Sequence, residues 1–310
     1  FLATTPLGTV GSGSAPNPEA TPYLVGGAIE GLHVGDLAPE LSVTRADGSA
    51  ERLTDLLKRQ NSLGVKFATR GLLNKAVVVA DGTKIIIGAI AKGSGMIHPD
   101  LATMLAVITT DYPLEQGEAI GFLRPAVERS FNAISVDGEP STNDCVVLLA
   151  NGASGVQRDD AAFADALDTV CSDLARQVVA DGEGITVLAE INVTGAIDEG
   201  EAKAIARRIA TSPLVKTALF GHDANWGRVL MAAGSAPWNG AYATVDPTRI
   251  TLRYNGTVVL EAGVPTFAEP DVSGPSCTIE LDLALGQGSA GYLTSDLSYD
   301  YVRINADYRT

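Results

Sequence analysis

"IAKGSGMIHPDLATMLAVITTD", residues 90–111, sets a lysine, two glycines, a histidine and a proline in front of a threonine and an apolar run. Gly93, Gly95 and Pro99 mark a loop. Leu101, Met104, Leu105 and Ile108 recur at helical intervals, so the spacing predicts that a helix begins here, with Thr103 where loop becomes helix. On that reading Thr103 is an ordinary first-turn hydroxyl. A wider view of the chain decides whether it is more.

With 310 residues, 45% of them hydrophobic, the chain has ample material for a buried core. Its formal net charge of -15 argues against nucleic acid or an anionic membrane surface as partner, since both would repel it, and favours small molecules. Cys145, Cys171 and Cys277 are odd in number and far apart, which suits neither a disulfide framework nor a zinc site with paired cysteines and predicts a reducing, cytoplasmic setting. No apolar run reaches the length of a membrane span, and the opening 27 residues lack the basic segment and apolar core of a secretory signal.

Those residues are dominated by Gly, Pro, Ser, Thr and Ala, the composition of an extended arm. A short extended piece and a helix are predicted across 33–60, with Asp55 paired to Lys58 or Arg59 at helical spacing. "KAVVVADGTKIIIGAIAKG" reads as a hairpin turning at Asp81 and Gly82. "LEQGEAIGFLRPAVERSFNAISVDG" gives a helix and then a strand, and "CVVLLANG" a continuous buried strand without polar alternation. "DDAAFADALDTVCSDLARQVVADGEG" is a long amphipathic helix with Phe163, Leu167, Val170, Leu174 and Val178 on one stripe. "ITVLAEINVTG" is a strand, "EGEAKAIARRIATSP" a helix, "ITLRYNGTVVLEAG" a hairpin about Asn255 and Gly256, and "CTIELDLALG" an alternating strand. The order predicts a layered α/β fold.

Several familiar chemistries fail on spacing. The Gly93–Gly95 turn lacks the Gly-Lys-Ser/Thr ending of a phosphate loop, "GASG" at 152–155 does not space as a dinucleotide fingerprint, and no Gly-x-Ser-x-Gly elbow occurs. His33, His98 and His222 are scattered without a helical pair, so no metal site is expected. A threonine hydroxyl is a weak nucleophile, but an α-amino group freed on the same residue, with a pKa of about 7.7–8.0, can act as its base. Cleavage between Ala102 and Thr103 would make that pair, with the glycine- and proline-rich loop holding the Ala102 carbonyl against the hydroxyl. The residues permit this reading without requiring it.

Four segments in order, "AKGSGMIHPDLATML", "DGEPSTNDCVVLLANG", "SPLVKTALFGHDANWGRV" and "YVRINADYRT", resemble the glutamate N-acetyltransferase family, also called ornithine acetyltransferases, of arginine biosynthesis. The resemblance runs from about residue 65 to residue 310. It implies a layered sandwich of the self-cleaving type, an α chain of residues 1–102 and a β chain of residues 103–310, associated as α2β2. It implies transfer of acetyl from N-acetylornithine to glutamate through an ester on Thr103, without metal or organic cofactor, and with acetyl-CoA as an additional donor in bifunctional relatives. Carried across one at a time, Lys92 matches a lysine that meets substrate, Glu183 an acidic substrate contact, and Asn305 and Thr310 the two C-terminal contacts. Thr69, in "FATRGLLNK", falls where the family has a substrate-binding threonine, although its neighbours differ. "STNDC" and "FGHDANWGRV" are assigned structural roles, turn formation and packing of Trp226.

The match departs at the oxyanion site. The family's Thr-Gly pair has its nearest echo in "IEGLHVGDLAP", with Gly31 in place and Glu30 where the threonine would be, and a carboxylate there would oppose a developing oxyanion. Two other readings stay open: a self-cleaving aminopeptidase or amidohydrolase that passes its acyl group to water, and a processed but inactive binding protein.

Overall fold

The computed structural model describes residues 23–24, 42–45, 50–52, 73–78, 84–93, 95–98, 104–140 and 144–307. The chain divides into two units, Phe1–Gln60 and Asn61–Thr310. In the first, β1 (Tyr23–Leu24), β2 (Ser42–Arg45) and β3 (Ala50–Arg52) form an antiparallel sheet in that order. The helix predicted before residue 60 lies outside the described residues.

The second unit opens with the predicted hairpin, β4 (Leu73–Val78) antiparallel to β5 (Lys84–Lys92), whose turn residues are outside the described set. The run after Thr103 is not the helix its spacing predicts but a strand, β6 (Leu105–Thr110), antiparallel to β5 with Lys92 opposite Leu105. Met104 and Ile108, read at helical spacing, also fit a period of two with the buried Ala106 and Thr110, while Leu105 lies on the exposed face. The β-branched Val-Ile-Thr-Thr run and a ready partner in β5 decide for the strand.

α1 (Ala119–Arg129) and a 3-10 turn at Phe131–Ala133 lead to β7 (Ile134–Ser135), and β8 (Cys145–Ala150) then pairs parallel to β6 at the edge of a four-stranded sheet, order β4-β5-β6-β8. β8 is not the buried strand its apolar run predicts. As an edge strand it buries Leu148 and leaves Leu149 45% exposed. α2 (Asp160–Ala180) is the long helix expected, begun by Asp159, whose side chain accepts from the Ala162 amide at 3.0 Å, and all five residues of its predicted stripe are buried.

β9 (Leu188–Ala196), α3 (Glu199–Ala210), α4 (Pro213–Phe220) and α5 (Trp226–Gly234) come next, then the short pair β10 (Pro237–Trp238) and β11 (Ala241–Tyr242). β12 (Thr251–Tyr254) and β13 (Thr257–Glu261) turn at Asn255 and Gly256, both at positive φ as a tight hairpin needs. β14 (Val264–Pro265), β15 (Ser276–Asp282) and β16 (Gly288–Ser295) complete a seven-stranded mixed sheet, order β14-β13-β12-β15-β9-β16-β7, and α6 (Tyr299–Asp307) ends the described chain.

Two cores result. One lies between the seven-stranded sheet and α3 to α5, around Ile191, Ile205, Val229 and Leu281. The other lies between the four-stranded sheet and α1 and α2, around Ile87, Ile108, Leu167 and Leu174, with Leu188 and Leu293 of the larger sheet packed against it. The order is therefore sheet, helices, sheet, helices: an α/β layered sandwich. Its layers bring the β5–β6 loop, the segment before β9 and α6 together.

Candidate functional site

The site is built on the connection from β5 to β6. Lys92 closes β5, and Gly93 runs so close to the start of β6 that a Cβ there would stand 3.1 Å from Ile97 Cδ1 and 3.6 Å from the Met104 Cα. Met104 follows Thr103 directly, and its amide donates to Asp144 Oδ1 at 2.6 Å. Burial raises the Asp144 carboxyl above the usual aspartate range, and the Met104 amide and the charge of Lys92 draw it back. The backbone immediately after Thr103 is thus gripped by a half-buried carboxylate beside Lys92. Between this point and α1 lies an apolar cavity of about 230 Å³, with Met104, Asp144, Ile97 and Leu123 in its wall.

The middle of the loop meets a second group. At Gly95 a Cβ would fall 2.9 Å from Glu183 Oε2, closer than side-chain carbons approach, so the absence of a side chain there makes room for the carboxylate. The same oxygen accepts from Asn305 Nδ2 at 3.1 Å. The loop itself is held from below: Asp137 accepts from the Met96 and Ile97 amides at 2.6 and 3.1 Å, Val136 N donates to Ile97 O, and Met96 takes a positive φ. His98 is buried, with Nδ1 3.3 Å from Ser135 Oγ and Nε2 accepting from Arg207 Nε at 3.0 Å.

Negative charge dominates this corner. The Tyr301 hydroxyl, on α6, is pushed up to about 12 by burial and then by Asp137, Glu183 and Glu139. Among the described residues no three His, Cys, Asp or Glu side chains gather as a metal site would require.

Of the residues singled out in the sequence, Glu183 and Asn305 meet directly, and Lys92 lies in the same loop system, three residues before the Gly95 that Glu183 touches. Gly31, Thr69, Ala102, Thr103 and Thr310 lie outside the described residues. Asp144 is the residue that sequence reasoning misses. It belongs to "STNDC", a segment that reads as turn-forming, and nothing in the local sequence shows that it caps the amide of a residue 40 positions earlier. In the other signature Asn225 does cap α5, accepting from the Arg228 amide, but Trp226 is 38% exposed rather than packed in the core.

Against known proteins, the ArgJ family pattern matches residues 38–310. The chain belongs to the ArgJ family. Relatives named arginine biosynthesis bifunctional protein ArgJ include that of Syntrophotalea carbinolica, 46% identical over 242 residues, covering 74% of this chain and 60% of the relative. That of Mycolicibacterium paratuberculosis is 46% identical over 224 residues, covering 72% of this chain and 54% of the relative. The chain thus spans little more than half the length of these curated relatives. The crystal structure of the ArgJ protein from Bacillus halodurans superposes with a TM-score of 0.61 at 37% identity, covering 65% of this chain and 98% of that one. The layered α/β architecture is therefore that of a solved ArgJ structure.

Proposed function

We propose that this ArgJ-family chain is a glutamate N-acetyltransferase that moves acetyl from N-acetylornithine to glutamate after cutting itself between Ala102 and Thr103. The observation that carries the reading is that Glu183, bonded to Asn305, packs against Gly95 of the loop that leads to Thr103.

In this mechanism the freed α-amine of Thr103 takes the proton of its own hydroxyl, and the hydroxyl oxygen attacks the acetyl carbonyl of N-acetylornithine. The bond between acetyl carbon and amide nitrogen breaks, and ornithine leaves with the proton on its amine. Glutamate's amine then attacks the ester, and the hydroxyl is restored. The Met104 amide held by Asp144 fixes the backbone directly after the nucleophile. The Lys92 cation suits an α-carboxylate. Glu183, reinforced by the negative field that also acts on Tyr301, suits the distal ammonium of ornithine.

The reaction calls for no metal or organic cofactor, and acetyl-CoA is a candidate co-substrate. The two cleaved chains, 1–102 and 103–310, stay associated as α2β2, with Thr69 and Thr310 adding substrate contacts and Gly31 an oxyanion donor. The proposed partners are small molecules, and the proposed setting is the cytoplasm.

The test is an acetyl-transfer assay with N-acetylornithine, run with and without glutamate. Formation of N-acetylglutamate that depends on glutamate supports the reading. Acetate released at the same rate without glutamate makes the protein an amidohydrolase, and no turnover in a cleaved chain, as Glu30 at the oxyanion position would allow, makes it a binding protein.

A further inference from the structure

Lys216 sits on α4, among the buried Val215, Ala218 and Leu219, and is itself only 4% exposed. Its ammonium donates to Thr294 Oγ1 at 3.0 Å, to Ser295 Oγ at 3.3 Å and to the Ser295 carbonyl, and its own carbonyl accepts from the Leu297 amide. All of these partners belong to the end of β16 and the turn beyond it. None of them is a carboxylate, so a buried cation is spent on holding a piece of backbone. Burial pushes the ammonium down to about 8, and Asp296 and Asp137 hold it up.

The turn so held touches both halves of the candidate substrate site. Asp296 Oδ1 accepts from the amides of Thr186 and Val187 at 2.9 and 3.0 Å, its Oδ2 accepts from Thr186 Oγ1 at 2.7 Å, and its amide donates to Val187 O. Two residues on, the Ser298 hydroxyl donates to Gly184 O and accepts from the Tyr301 amide at the start of α6. Asp296 therefore fixes the segment that carries Glu183, and Ser298 ties that segment to the helix that carries Asn305. Gly184, at positive φ, allows this approach: a Cβ there would fall 2.4 Å from the Tyr301 nitrogen. The second carboxylate near Lys216, Asp137, holds the Met96 and Ile97 amides next to Gly95.

We propose that Lys216 is a positioning residue for substrate: its ammonium sets the 294–298 turn, and through Asp296 and Ser298 sets the spacing of Glu183 and Asn305. The proposal rests on the reading that those two residues meet N-acetylornithine. Lys216 touches neither substrate nor nucleophile, so its loss acts on substrate binding rather than on the chemical step.

The test compares full-length Lys216→Met, Ser295→Ala and Glu183→Gln with the parent protein, after a gel has established processing. Lys216→Met keeps the chain length and removes the charge. Ser295→Ala is milder and removes the hydroxyl that accepts from Lys216 and donates to the Asp296 carbonyl. The expected result is a KM for N-acetylornithine raised about tenfold in Lys216→Met and severalfold in Ser295→Ala, with kcat within about threefold of the parent. If Lys216→Met does not fold, Ser295→Ala decides alone. A raised KM in Glu183→Gln with unchanged KM in the other two, or a loss confined to kcat, overturns the role of Lys216 and leaves the substrate reading standing. An unchanged KM in Glu183→Gln overturns both.

Discussion

Asn305 Nδ2 donates to Glu183 Oε2 at 3.1 Å, joining residues 122 positions apart at the point where the loop before Thr103 passes under them. The amide fixes the orientation of the carboxyl group proposed above to meet the ornithine ammonium. Replacing Glu183 by Gln keeps the shape and removes the charge. Loss of one charged contact is worth about 1.5–3 kcal/mol, so kcat/KM for N-acetylornithine should fall roughly tenfold to a hundredfold, while the glutamate half-reaction, whose substrate has no distal cation, should change much less. Equal losses in both half-reactions, measured in the two directions of transfer, would contradict the assignment of Glu183 to the ornithine amine.

Gly95→Ala isolates the fit of loop to carboxylate. The added methyl would lie 2.9 Å from Glu183 Oε2 and 3.0 Å from its Cδ, and the side chain can yield because its end is flexible. Stability should therefore change by less than about 1 kcal/mol. KM for N-acetylornithine should rise, since Glu183 must leave its place beside Asn305. Thermal unfolding and steady-state kinetics on the same sample separate the two effects, and a normal KM would show that the contact does not shape the substrate site.

Asp144→Asn tests the clamp after Thr103, the proposed nucleophile. The amide side chain can still accept from Met104, but the charge-assisted bond is lost, so self-cleavage followed on a gel should slow severalfold. There is a pH signature as well. Because the folded-state carboxyl is raised above the usual aspartate range, mainly by burial, the folded protein binds the proton more tightly than the unfolded chain does. This group's contribution to stability is thus present at low pH and falls as pH rises from the ordinary aspartate value through the raised one. Denaturant unfolding across the acid range should show the Asn variant lacking that component. An identical pH dependence in both proteins would place Asp144 in ordinary solvent.

How much of this is legible in the sequence differs element by element. The Asn255–Gly256 hairpin is legible because the need for two positive φ values is written in the residues themselves. α2 is legible because its apolar stripe has only one periodic explanation. β6 misleads because its apolar positions satisfy helical and alternating patterns together, and only pairing with β5 separates them. β8 misleads because an apolar run shows burial poorly when the strand lies at a sheet edge. Glu183 and Asn305 come from resemblance alone. Asp144 and Lys216 escape notice because their roles depend on partners 40 and about 80 residues away, which no local pattern reveals.

The central claim is that Thr103, once freed, carries the acetyl group. Intact mass of the purified protein before and after incubation with N-acetylornithine tests it most directly, with Thr103→Ala as the control. The account predicts two chains that part before Thr103, a gain of about one acetyl group, roughly 42 Da, on the larger chain only, and reversal of that gain when glutamate is added. The alanine variant should stay uncut and unmodified. A chain that remains whole, or a cleaved alanine variant that still takes up acetyl, would contradict it.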